Sequence, residues 1–119
     1  MGVDSASAGC VFDLTGTLAR LGGDQALFIE LTEFFYEDAP QIYASLREAA
    51  NANDAKGVRS SAHALKGLVA GCGGVRAADV AQKVETAGQE GDLSHIKSLI
   101  DSLGEELELL KQALLVYSN

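Results

Sequence analysis

The sequence predicts an all-α fold, an antiparallel four-helix bundle with a short extra N-terminal helix. Three observations support this: there is one proline and no tryptophan, aromatic residues make up only 6%, and apolar residues recur at helical spacing. The 119 residues suit one domain, and a hydrophobic content of 47% can form a core without disulfides or metal. We expect a flexible tail over residues 1–11 and one domain over residues 12–119.

Two amphipathic segments open the predicted domain. The first is short, ends at a pair of glycines, and carries the apolar residues Leu14, Leu18 and Leu21. The second is long and begins after Asp24, a residue type that caps helices well. Pro40 interrupts its apolar spacing, which predicts either one kinked helix or two nearly collinear helices.

Three further helices are expected in the second half of the chain. The third covers residues 56–72, follows a predicted cap at Asn53-Asp54, and is closed by nearby glycines. The fourth runs over residues 75–87, and residues 88–92 are expected to form a loop with Asp92 capping the last helix. Apolar residues of that helix, residues 96–117, follow a near-heptad, which burial inside a bundle explains better than a coiled coil.

Charge and cysteine content exclude several classes of function. The net charge of −8 argues against binding to nucleic acid and against contact with anionic membranes. Cys10 and Cys72 are too few for a disulfide framework and are expected to be reduced thiols in a cytoplasmic setting. No signal peptide or membrane-spanning run is visible.

His63 is the residue that the helical geometry sets apart. At about 100° per residue, the core-facing seam of the third helix lies within roughly ±40° of one line and comprises Val58, Ala62, Leu65, Val69 and Cys72. His63 falls about 140° from this line, with Lys56, Gly67 and Ala70 beside it and Lys66 nearer the flank. A water-exposed histidine beside a cation and a bare patch of backbone favours reaction with a large partner.

Other interpretations of the histidines are weaker. His95 lies off the apolar seam of the last helix and is expected to be an exposed bystander. A metal pair of His63 and Cys72 fails because nine residues of one helix separate the two by roughly 13 Å and place them on opposite faces. The sequence therefore predicts no metal site.

The order of residues around His63 matches a known pattern. His63-Ala64-Leu65-Lys66-Gly67 is followed by Gly73 ten residues after the histidine. The Gly-Gly-Asp turn at 22–24, the segment 35–40 and the pair Val84-Glu85 stand in register with it. In these features the chain resembles, over nearly its whole length, the histidine-containing phosphotransfer (HPt) domains of two-component phosphorelays.

The resemblance implies a reversible phosphocarrier. His63 would accept a phosphoryl group from an aspartate of one receiver domain and pass it to another, since imidazole is a good nucleophile near neutral pH. Positioning and nearby positive charge matter most in such transfers, so Lys66 is the candidate to stabilise the phosphoryl oxygens. Gly67 would allow the partner to come close, and Glu85 either orients the imidazole or is an ordinary solvated glutamate.

The resemblance also implies what the partners supply. The response-regulator receiver domain is expected to bring the aspartate and Mg²⁺, so this chain should need no cofactor of its own. No glycine-rich nucleotide loop is present, which predicts no autonomous ATP-dependent kinase activity. The chain is expected to be a cytoplasmic monomer, either a separate carrier or a domain of a hybrid sensor histidine kinase anchored in a membrane.

The sequence offers candidate residues for a docking surface and is compatible with two alternative functions. Leu18, Leu21, Phe35 and Ala70 are candidates for contact with the receiver, although core burial explains the apolar residues of the first two helices equally well. The alternatives to a carrier are a receiver-docking module without transfer and a purely structural helical bundle. The intact set of His63, Lys66 and Gly67 favours transfer.

Overall fold

The computed structural model describes residues 10–118, and every regular element within them is an α-helix. The five helices are α1 (Leu14–Arg20), α2 (Gln25–Asn51), α3 (Ala55–Gly71), α4 (Val75–Glu90) and α5 (Ile96–Ser118). Consecutive helices from α2 to α5 pack side by side, and α2 also contacts α5, which closes a four-helix bundle. The predicted all-α fold is confirmed. In this described part, no helix combines the length and apolar character needed to cross a bilayer.

Aspartate side chains fix where the first three helices begin. Each Oδ1 accepts a hydrogen bond of 3.0 Å from the backbone N–H three residues further on, and the capping residues are Asp13, Asp24 and Asp54. These bonds satisfy amide groups that have no partner inside the helix. The prediction that Asp92 caps α5 is wrong. Asp92 caps a turn instead, because its carboxylate accepts from the N–H and Oγ of Ser94 at 3.2 and 2.7 Å.

The core is formed by the faces that helical spacing predicts. The five seam residues of the third helix have no exposed surface, and these are Val58, Ala62, Leu65, Val69 and Cys72. Burial raises the pKa of the Cys72 thiol to about 11. Phe35 is only 3% exposed, so its assignment to a docking surface is wrong and it is a core residue. Pro40 lies within α2, which is one continuous helix rather than two.

The predicted loop at residues 88–92 begins too early, because Gly88 lies inside α4. A Cβ atom at Gly88 would be 2.7 Å from the backbone nitrogen of Arg59 and 2.9 Å from the carbonyl oxygen of Ala55. The glycine therefore serves close packing of α4 on the first half of α3, not the end of the helix. The turn comes three residues later at Gly91, which has a positive φ of 72°.

Two hydrogen bonds hold helix α1 and its N-cap against the C-terminal end of α3. The N–H of Asp13 donates to the carbonyl of Gly73 at 2.8 Å, and Nη2 of Arg20 donates to the carbonyl of Ala70 at 3.1 Å. Gly73 has a φ of 82°, and a Cβ there would collide with Oγ1 of Thr17. The short helix is therefore a fixed part of the domain, and it covers the end of the helix that carries His63.

A pair of glycine substitutions separates close packing from helix propensity. Gly88→Ala should lower the free energy of unfolding by about 1 to 3 kcal/mol, because the added methyl group forces α4 away from α3. Gly67→Ala should instead raise it by up to about 1 kcal/mol, because a Cβ at Gly67 meets no atom within 4 Å. Urea unfolding followed by far-UV circular dichroism measures both, and equal shifts of the two midpoints would contradict the packing argument.

Candidate functional site

The imidazole of His63 projects from α3 into solvent and contacts α4 through one nitrogen. The side chain is 69% exposed, and Nδ1 lies 3.0 Å from Oε2 of Glu85. An ionised carboxylate can only accept a hydrogen bond, so Nδ1 is the donor and carries a proton. Among the described residues, no side chain or backbone group bonds to Nε2. When the ring is neutral, the lone pair of Nε2 therefore faces solvent, where a phosphoryl group could bond.

Glu85 holds two α3 side chains with its two oxygens. While Oε2 faces His63, Oε1 forms an ion pair with Nζ of Lys66 at 2.8 Å. The Lys66 ammonium lowers the pKa of the Glu85 carboxyl, burial partly opposes this, and the hydrogen bond from His63 lowers it further. The side chain of Glu85 is 12% exposed. It is therefore not a solvated glutamate, and its position on α4 fits the imidazole-orienting role.

Lys66 lies on the flank of α3 beside His63 and is tied to α4 at two points. Besides the ion pair with Glu85, its Nζ donates to Oε1 of Gln82 at 2.9 Å. The amide nitrogen of Gln82 in turn donates to Oγ1 of Thr86 at 3.1 Å. Neither Gln82 nor Thr86 is among the residues predicted from the sequence. The sequence signal for them is spacing. Gln82 lies three residues before Glu85 and Thr86 one residue after it, so all three lie on the same side of a helix.

The other predicted site residues are divided between the surface and the bundle. Gly67 is exposed one turn beyond His63, and space around its Cα is open, as close approach requires. Ala70 is also exposed, although its carbonyl is occupied by Arg20. Leu18 and Leu21 are half-buried against the core. Three of the four candidate docking residues are thus at least partly exposed, whereas Phe35 is almost fully buried.

Removing the charge of Glu85 should change how stability depends on pH. A carboxyl with a lowered pKa stabilises the folded state above its ordinary pKa of about 4.5, and this contribution is lost as the pH falls through the lowered value. Glu85→Gln should therefore lose less stability than the wild type between about pH 6 and pH 3. The midpoints of urea unfolding, determined for both proteins at several pH values across this range, measure the difference.

The matched control for this experiment is Glu105→Gln, which removes the same charge from an exposed position on α5. Its pH profile should follow that of the wild type. If the two glutamine variants behave alike, the coupling of Glu85 to Lys66 and His63 does not contribute to stability.

Comparisons with known proteins show which family the chain belongs to. The family model described as the Hpt domain matches residues 30–113. Comparison with curated protein sequences gives no match. Among solved structures, the histidine-containing phosphotransfer protein B (HptB) from Pseudomonas aeruginosa PAO1 is similar, with 25% identity, a TM-score of 0.79, and coverage of 88% of this chain and 91% of that one. Because the family model spans well over half of the sequence, this chain belongs to the Hpt domain family and functions in histidine phosphotransfer within phosphorelay signalling.

Proposed function

We propose that His63 is the phosphorylated residue, and that it carries a phosphoryl group between the aspartates of two receiver domains. The main support for this assignment is the hydrogen bond from Nδ1 of His63 to Glu85, because it directs the lone pair of Nε2 outward. In the first transfer the bond from phosphorus to the aspartate oxygen breaks, and a bond from phosphorus to Nε2 forms. The proton on Nδ1 stays in place, and the positive charge that develops on the ring faces the carboxylate of Glu85.

Lys66 and Gly67 would assist this transfer in different ways. The ammonium of Lys66 adds positive charge beside the histidine, where the transferred oxygens gather negative charge in a loose transition state. Gly67 leaves the surface bare one turn from the imidazole, so a receiver loop can bring its aspartate within bonding distance. Neither residue would need to move a proton, because in the proposed tautomer the ring proton is on Nδ1, beside Glu85, and Nε2 is free.

The receiver domain would supply the rest of the chemistry. Hpt domains interact with response-regulator receiver domains, and we propose that the receiver brings both the aspartate and Mg²⁺. This chain would then act as a monomeric, cytoplasmic carrier without cofactor or ATP-dependent activity of its own. It would serve either as a separate protein or as a domain of a hybrid sensor histidine kinase.

Substitution of the two histidines tests the proposed acceptor. His63→Gln should abolish transfer of labelled phosphate from a panel of phosphorylated receiver domains, while the wild type acquires an acid-labile, base-stable label. His95→Gln, which alters an exposed histidine just before α5, should transfer normally. Label on His63→Gln would contradict the assignment. Receiver binding without any transfer to the wild type would identify a docking module, and labelling by ATP alone would reveal a kinase activity.

The role of Gly67 is tested by comparing a protein donor with a small one. Gly67→Leu should slow transfer from a phosphorylated receiver by on the order of 100-fold, because misplacing the reacting atoms by about 1 Å has an effect of this size. Phosphorylation by phosphoramidate should change less than about twofold, because a small donor does not need the bare surface. Equal loss with both donors would show that the leucine damages the histidine site itself.

A further inference from the structure

The charges of α3 differ from those of the whole molecule. The chain has 17 acidic and 9 basic residues, yet the basic residues Lys56, Arg59 and Lys66 are the only charged side chains within α3. With His63 they follow spacings of three, four and three residues, which places all four within about 80° of one helix face. A cationic stripe therefore runs along α3 through the phosphotransfer site of a protein whose net charge is −8.

Two of these cations lack a partner within the described part of the protein. Lys66 is bound by Glu85, whereas no side chain among residues 10–117 forms an ion pair or hydrogen bond with the side chain of Lys56 or Arg59, and both are exposed. The nearest acid in sequence, Asp54, accepts the N–H of Gly57 as the helix cap. The positive side chains are therefore available to another molecule.

Stability does not explain the position of these cations. Lys56 is the second residue of α3 and Arg59 the fifth, so both lie near the end of the helix where the macrodipole is positive. Acidic residues are favourable at this end and cations are unfavourable. The presence of two cations at this end of α3 therefore has an explanation other than stability of the fold.

The two cations also border a concave surface beside the histidine. A groove of about 450 Å³ between α3 and α4 is lined by Lys56, Gly57, Arg59, Ser60, His63 and Glu85. It extends from the imidazole toward the start of α3, away from Gly67. The close packing of α4 at Gly88 keeps the backbone of Arg59 against α4, so the rim of this groove is fixed.

We propose that Lys56 and Arg59 form a docking surface for the acidic rim of the receiver's aspartyl-phosphate site. This inference rests on the proposed function, in which the receiver approaches His63 with a phosphorylated aspartate and metal-binding carboxylates. Exposed charges at the edge of an interface add little affinity but accelerate the encounter of opposite charges. The cations therefore steer the receiver to His63, while Lys66 acts on the phosphoryl group.

Charge reversal with a matched control tests this surface. Lys56→Glu combined with Arg59→Glu changes the net charge from −8 to −12, and so does Lys97→Glu combined with Lys111→Glu on α5. The probe is an isolated receiver domain that transfers phosphate to the wild type and is phosphorylated with acetyl phosphate. At an ionic strength of about 20 mM, the α3 pair should lower kcat/KM for transfer by about tenfold or more, and the α5 pair by less than about threefold. At about 500 mM the difference should largely disappear, because salt screens exposed charges.

Phosphoramidate separates failure of this inference from failure of the proposed function. At an ionic strength of about 500 mM, where salt screens the attraction of this small anion to exposed cations, both charge-reversal pairs should be phosphorylated by it at the wild-type rate, which shows that each variant is folded and that its histidine is reactive. Equal kcat/KM of the two pairs with the receiver, or a difference that persists at high salt, would overturn the docking surface and leave His63 as the carrier. Absence of transfer from every receiver to the wild type would overturn both proposals.

Discussion

The carboxylate of Glu85, held between the imidazole of His63 and the ammonium of Lys66, is the interaction on which the site depends. A mostly buried carboxylate needs compensating partners, and α3 supplies two of them one turn apart. The same group thereby fixes the tautomer of the histidine and the location of the lysine. Nε2, the proposed nucleophile, remains in solvent because only Nδ1 on the other side of the ring is bound.

This arrangement requires α3 and α4 to be close and in a fixed register. Gly88 lets the backbones meet one turn beyond Glu85, and the other inward positions of α4 are mostly small, including Ala77 and Ala81. At the opposite end, the hydrogen bonds of α1 to Gly73 and Ala70 restrain the last turn of α3. The proposed phosphotransfer site therefore lies on two packed helices rather than on loops, which suits a reaction that depends on positioning.

Features that arise from the periodicity of a single helix could be predicted from the sequence, whereas features that depend on contacts between helices could not. The exposure of His63 and the buried seam of α3 both result from an angle of 100° per residue, so one segment is enough to derive them. Gly88 is misplaced in a predicted loop because a glycine that ends a helix and one that admits a neighbouring helix look alike in sequence. The role of Gln82 appears only when Lys66 reaches it from α3. Phe35 is ambiguous because an apolar residue on an amphipathic helix can pack into the core of its own domain or against a docking partner.

The bond between His63 and Glu85 also bears on why a carrier of this kind can work in both directions. In the proposed acceptance step, the carboxylate keeps the proton on Nδ1 and leaves Nε2 as the nucleophile. In the reverse step the same proton remains on Nδ1, so the group that leaves phosphorus is a neutral imidazole rather than an imidazolate anion. Lys66 offsets the repulsion between the carboxylate and the phosphoryl oxygens. One hydrogen bond thus favours formation of the bond to phosphorus and also its cleavage, and this symmetry is what reversible transfer between two aspartates requires.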